Sequence, residues 1–224
     1  MADPVDDPSA AQRTPLSRDR VLAAAIAIAD EEGIDALTMR RLARSLGVEA
    51  MSIYYHAANK DAILDGILGL VVAEIELADL RLGWKAAIRA SAVSMHAVLR
   101  RHPWASALLM SPLRVSAGRI AQMEGLLAAL ADGGFSGGLA DRAYHALDAH
   151  ILGCAMWEAG YEAGFRAAPP DFAATFSRNL DAGRYPRLVG HIAYHLEPPD
   201  DGPSAFEFGL DLLLDGLEQA ARPG

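Results

Sequence analysis

LTMRRLARSLGVEAMSIYYHAANKDAIL, residues 37–64, is the stretch on which the fold of this chain turns. Thr38 can cap a short helix that contains Arg40, Arg41, Leu42, Arg44 and Leu46, and Gly47 supplies the left-handed position that a helix end favours. Val48 leads into a third helix expected to run to about His56, and Asn59 caps a fourth that carries Ile63, Leu64, Ile67, Leu68, Val71, Val72 and Ile75. Two short helices joined by so tight a turn make a rigid corner, which Leu42, Leu46, Val48 and Ile53 can fix against a preceding helix. With Ile53 inward, the step of roughly 100° per residue places Met51 and Tyr55 on the far side, flanked by Ser52 and Tyr54. Such a surface suits a helix that enters the major groove of DNA. The same residues leave a plainer reading open, with Tyr54 and Tyr55 packed between the first and fourth helices and the arginines forming a solvated face.

Outward from this corner the chain reads as helices separated by glycine and proline. Ser17 caps a first helix with Val21, Leu22, Ala25, Ile26, Ile28 and Ala29 at helical spacing, closed by Gly33. Helices are expected over 84–101, 118–130, 139–164, 172–180 and 188–196, with Ser204 capping a last one. Pro103 and Pro112 bracket a short apolar segment, and no alternating β-branched run suggests a sheet. The fold class is all-α. Residues 1–15 read as an acidic, proline-rich disordered tail, 16–65 as a helix-turn-helix DNA-binding domain, and 66–224 as a larger helical domain.

The chain has 224 residues and a net charge of −9, which argues against broad, nonspecific clamping of nucleic acid. Positive charge is instead local, with Arg40, Arg41, Arg44 and Lys60 set against Glu49 around the corner. No run reaches the roughly 18 apolar residues of a membrane span, and the N-terminus has no signal-peptide pattern, so a cytoplasmic location is expected. The one cysteine, Cys154, lies in an apolar helical run and reads as a small core residue.

Residues 33–64 resemble the DNA-binding domain of the tetracycline-repressor (TetR) family, through the Thr cap, the LA..LGV turn, the pair Tyr54-Tyr55, His56 and the Asn59-Lys60 pair. The last helices, RYPRLVGHIAYHL and FEFGLDLLLDGLEQ, are more loosely similar to the family's regulatory domain. The resemblance implies a palindromic double-stranded DNA operator, with Thr38 on phosphate and Arg40 able to reach a base edge. Ser52, Tyr54, His56 and Lys60 would hold phosphates, and positions 50 and 51 would face bases. Here these are Ala50 and Met51, which can make only apolar contacts, for example to a thymine methyl.

For the second domain the resemblance implies a homodimer and a small-molecule pocket, with no cofactor. The apolar stripe Phe206, Leu210, Leu213, Leu214 and Leu217, with Leu147, Ile151, Cys154 and Ala155 before it, fits a four-helix subunit interface, Gly153 and Gly160 permitting close approach. It fits burial within one chain as well. Met95, Trp104, Met110, Met123, His150, Trp157 and Tyr161 are candidate pocket residues, or plain core. At the positions where tetracycline repressors hold their ligand and metal stand Glu76, Ser91 and Leu109, so a hydrophobic effector is expected rather than tetracycline.

Two other classes would rest on other features. An enzyme would rest on His191 and His195, spaced i,i+4 as zinc ligands can be, but no HExxH signature or third ligand accompanies them. The GGFSGG run lacks the strand and GK[ST] ending of a phosphate loop, no GxSxG nucleophile is present, and no catalytic or metal residue is assigned. A helical protein of the same fold without operator binding would be expected to lack the set Arg40, Tyr54, His56 and Lys60, which is intact here.

Overall fold

The computed structural model describes residues 15–111, 114, 116–168, 171–196 and 202–222; the side chains at 165, 166, 173, 174, 177, 195 and 196 are not described. The tail expected over 1–15 thus lies almost wholly outside the described residues. Among them the fold is all-helical, with eleven α-helices and two single 3-10 turns.

Local chemistry sets the first four helices. Ser17 accepts from the Arg20 amide at 3.2 Å and opens α1 (Arg18–Glu32), which Gly33 closes at φ +86°. Thr38 accepts from the Arg41 amide at 3.1 Å and opens α2 (Met39–Leu46). Gly47 then takes φ +65°, ψ +35°, a conformation costly for any residue with a Cβ, and turns the chain into α3 (Ala50–Tyr54). The third helix stops two residues short of the expected His56. There the His56 amide donates to Ile53 O at 2.8 Å, a tightened turn that releases the chain toward Asn59. Asn59 accepts from the Ala62 amide at 2.8 Å and starts α4 (Lys60–Ala73).

The remaining helices are α5 (Trp84–Arg101), α6 (Pro103–Leu109), α7 (Ala117–Asp132), α8 (Gly137–Ala167), α9 (Phe172–Asn179), α10 (Pro186–Leu196) and α11 (Ala205–Ala220). Pro103 occupies the first position of α6, where its missing N–H costs nothing. Ser204 and Glu207 form a reciprocal capping box on α11. Helices α5, α8 and α11 pack on one another around Met95, Leu99, Leu147, Ile151, Phe206, Leu210 and Leu214, all essentially inaccessible.

This packing corrects the subunit-interface expectation. Leu147, Ile151, Phe206, Leu210 and Leu214 are consumed within the single chain, and Leu217 is half-buried against the same core. Gly153 and Gly160 have open space where a Cβ would stand, so they mediate no close approach inside the chain. Gly209 does: a Cβ there would lie 2.5 Å from His150 Cε1. The charged side of α11 is also occupied. Arg89 bonds Asp211 at 2.7 Å, and Lys85 reaches Asp215 at 2.6 Å and Glu218 at 3.1 Å.

Between α7 and α8 the chain turns at Gly133-Gly134, where a Cβ on Gly133 would lie 2.7 Å from Trp84 Cγ. Trp84 is itself held edge-on to Phe135, with ring centroids 5.0 Å apart. Neither ring can swing aside cheaply. Gly133→Ala is expected to destabilise the protein by about 1–3 kcal/mol, read as a lowered urea midpoint with an unchanged slope.

Candidate nucleic-acid interface and effector domain

Ile53 is fully buried beneath the corner, so the short helix α3 turns its opposite side outward. Met51 is 70% exposed and Tyr55 88%, with Tyr54 at 44% beside them. Ala50 is half-buried and packs against the core; Ser52, His56 and Lys60 are partly exposed around the helix, and Thr38 is exposed while its hydroxyl caps α2. Tyr55 was assigned no role by resemblance, yet it is the most exposed of the large apolar side chains described. The helical step from Ile53 was the signal for it.

The arginines divide. Arg41 Nε donates to Glu32 at 3.0 Å, which ties α2 to α1 and raises the Arg41 pKa through that bond. Arg40 and Arg44 lie a turn apart on the exposed side of α2. Among the described residues no carboxylate pairs with Arg40, Arg44 or Lys60. Unpaired cations around an outward Met51, Tyr54 and Tyr55 form a surface that can meet phosphates with its rim and base edges with its centre.

The seven expected pocket residues sit in different surroundings. Met95 is fully buried and its sulfur accepts from Gln122 Nε2 at 3.1 Å; Trp104 is buried and donates to Asp30 at 2.6 Å. Met123 is half-buried, and His150 Nε2 contacts Phe206 O at 2.9 Å. Met110, Trp157 and Tyr161 are exposed, the latter two stacked with centroids 5.1 Å apart. His150, Trp157 and Tyr161 share one stripe of α8, but the C-terminal end of that helix is largely exposed. A stripe identifies a side of a helix and not how far its neighbours reach.

Open clefts lie elsewhere among the described residues. One of about 550 Å³ runs between the end of α4 and α5, lined by Glu74, Glu76, Ser94 and Arg101 among others. The second, about 460 Å³, lies beside Trp84, Lys85, Arg89 and Asp211. The positions compared with the tetracycline site also have structural work here. Ser91 Oγ donates to Glu76 O at 2.7 Å, the Glu76 amide donates to Ser94 Oγ at 2.9 Å, and Leu109 is buried. His191 is exposed, the His195 side chain lies outside the described residues, and no group of three potential metal ligands occurs among those described.

Arg119 and His96 are among the polar groups enclosed in the regulatory core. Arg119 reaches both oxygens of Asp148 at 2.8 Å and also bonds Gln122. His96 lies 3.0 Å from Glu158 and stacks on Phe206 at 3.8 Å. Burial pushes the His96 pKa below its ordinary value, an effect the Glu158 carboxylate opposes only in part.

A helix-turn-helix reading head joined by α4 to a larger helical body defines a DNA-binding regulator with a separate regulatory domain. The pattern described as "Bacterial regulatory proteins, tetR family" matches residues 21–67, and that described as "Tetracyclin repressor-like, C-terminal domain" matches residues 79–221. This chain belongs to the TetR family of transcriptional regulators, whose members are not enzymes. It is 34% identical to the HTH-type transcriptional repressor DrrR1 of Streptomyces coeruleorubidus, over 94% of this chain and 80% of that protein. Among solved structures it is similar to ActR of Streptomyces coelicolor in complex with actinorhodin, with a TM-score of 0.73, 27% identity and coverage of 94% of this chain and all of that one. It is also similar to BioQ bound to its double-stranded DNA operator, with a TM-score of 0.62, 26% identity and coverage of 92% and 99%. No helix among the described residues is long and apolar enough to cross a membrane.

The His96 shift has a definite sign. A histidine whose pKa is depressed in the folded state takes up its proton first in the unfolded chain. Its contribution is therefore complete above the unfolded value of about 6.5 and declines as pH falls below it. The melting temperature should drop between pH 7.5 and pH 5, and His96→Gln should make that drop shallower when both are followed by circular dichroism.

Proposed function

We propose that this protein is a homodimeric repressor that binds a palindromic operator and is released by a small, mainly apolar effector. The observation that carries the reading is the outward presentation of Met51, Tyr54 and Tyr55 over buried Ile53, rimmed by the unpaired cations Arg40, Arg44 and Lys60. Thr38, Ser52, Tyr54, His56 and Lys60 would hold phosphates, while Met51 and the exposed part of Ala50 would face bases and Arg40 would supply the polar readout. Apolar side chains at 50 and 51 shift the burden of specificity toward thymine methyls and DNA shape. BioQ, with the same fold, is bound to a DNA operator, which supports this placement.

A homodimer supplies two reading heads, and a two-fold axis matches a palindrome with half-sites about 34–36 Å apart. The proposed interface uses the surface that the core leaves over: Phe208 and Leu212 of α11, 58% and 57% exposed, with Gly153, Met156 and Trp157 of α8. The domains divide near residues 65–66, within α4. Effector binding in the helical body would move α4 and spoil the half-site spacing, shifting the population of DNA-competent dimers. That ActR holds actinorhodin supports a small-molecule effector here, and the positions of Glu76, Ser91 and Leu109 disfavour a tetracycline–metal chelate. Repression follows most simply, by occlusion of polymerase.

Selection of genomic fragments by the purified protein at physiological salt should recover a palindrome; recovery of none from a folded dimer would refute the reading. On the recovered fragment, Lys60→Ala should weaken binding alike across sequences and lower the salt slope by about one. Tyr54→Ala combined with K60A should abolish binding without changing helicity. Leu212→Glu together with Phe208→Glu should convert the dimer to a folded monomer in sedimentation; a persistent dimer would place the interface elsewhere.

A further inference from the structure

One short stretch of the regulatory body grips the reading head from two sides. His102 closes α5 and opens α6, its own amide bonded to Val98 O at 3.0 Å and its side chain nearly buried. Its Nδ1 lies 2.8 Å from Asp30 Oδ1, in the last turn of α1. Trp104, two residues on and also buried, donates its indole N–H to the same oxygen at 2.6 Å. A carboxylate oxygen only accepts, so both rings donate to it and Asp30 is held between them.

The opposite edge of His102 faces α4. Its Nε2 lies 3.6 Å from Glu74, the residue that ends α4, and Arg101 bonds the other oxygen of that carboxylate at 2.6 Å. Beyond the far end of α6, Arg114 bonds Asp61 and lies 2.6 Å from Asp65, both in the first half of α4. Residues 101, 102, 104 and 114 therefore reach α1 at Asp30 and α4 near both of its ends. Asp30 and Glu74 belong to different helices but grip one corner. A shift of that corner cannot leave the angle between head and body unchanged.

We propose that the α5–α6 corner is the joint that sets the angle of the reading head, with Asp30, His102, Trp104 and Arg114 as positioning residues for operator binding. They touch no DNA. They select which half-site spacing the dimer accepts, so the inference rests on the operator reading and adds to it the residues that carry the geometry. A residue of this kind has a distinct signature. Its loss broadens the range of tolerated spacings, whereas loss of a phosphate contact weakens every spacing equally.

The test uses the full-length dimer and the fragment it selects, with one and two base pairs inserted at the centre of the palindrome. The wild type should prefer its own spacing by tenfold or more, about 1.4 kcal/mol. Trp104→Phe keeps an aromatic ring and removes the donor with part of the bulk; Asp30→Ala removes the acceptor. Each should reduce the preference to about threefold or less, with K60A lowering all three affinities and keeping the preference. A second readout needs no DNA. Backbone amides in the last turns of α1 and α4 should exchange with deuterium about tenfold faster in W104F, while those in α8 and α11 stay unchanged. If the wild type selects no fragment, the operator reading falls and the exchange measurement alone decides the joint. Full spacing preference in both variants, or unchanged exchange in α1 and α4, overturns the proposal.

Discussion

The rest of the structure depends on one helix buried by two different sets of partners. Of the fourteen residues of α4, Ile63, Leu64, Ile67, Leu68, Val71 and Val72 are buried, along almost its whole length. Its Gly66 abuts Leu22 of α1 so closely that a Cβ would stand 2.7 Å from the leucine methyl, while Val72 meets Gly118 of α7. The same rigid rod thus completes the core of the reading head and that of the regulatory body. Neither core can repack without moving it, because close-packed interiors respond by displacement rather than by compression. This is the physical basis on which an event in the body can reach the head at all.

Charge in this molecule directs more than it stabilises. Most of the ion pairs are exposed, and such pairs contribute about 0–1 kcal/mol each. Their effect lies in where they use up cations. Lys85 and Arg89 are spent on the carboxylates of α11, and the Arg89 bonds hold Asp211 below the ordinary carboxylate range. Arg41 is spent on Glu32, and Arg114 on Asp61 and Asp65. Among the described residues no carboxylate pairs with Arg40, Arg44 or Lys60, on the head of a chain with net charge −9. A protein with excess negative charge can approach a polyanion only if its positive potential is concentrated in this way.

The reading head was almost wholly legible in the sequence because its signals are local. Ser17, Thr38, Asn59 and Gly47 act within one turn of themselves, and all four do in the structure what their residue types imply. The outward side of α3 followed from the helical step once Ile53 was taken as the inward residue. The body was legible as helices and misread as surfaces. Phe206, Leu210 and Leu214 were correctly placed on one stripe, yet that stripe packs against α5 and α8 of the same chain. The carboxylates of α11 pair with Lys85 and Arg89, more than a hundred residues away, and nothing near them in sequence names those partners.

By itself the sequence determined the helices, their caps, the αL turn at Gly47 and the face of α3 that points outward. These depend on interactions within a few residues, so periodicity and residue type suffice. Tertiary structure decided which apolar stripes are core and which are left over, why Trp157 and Tyr161 stand exposed while Met95 does not, and how Asp30 comes to be shared by His102 and Trp104. A stripe states only that a side of a helix is to be covered. What covers it depends on helix lengths and crossings summed over the whole chain, and these are fixed when the helices pack.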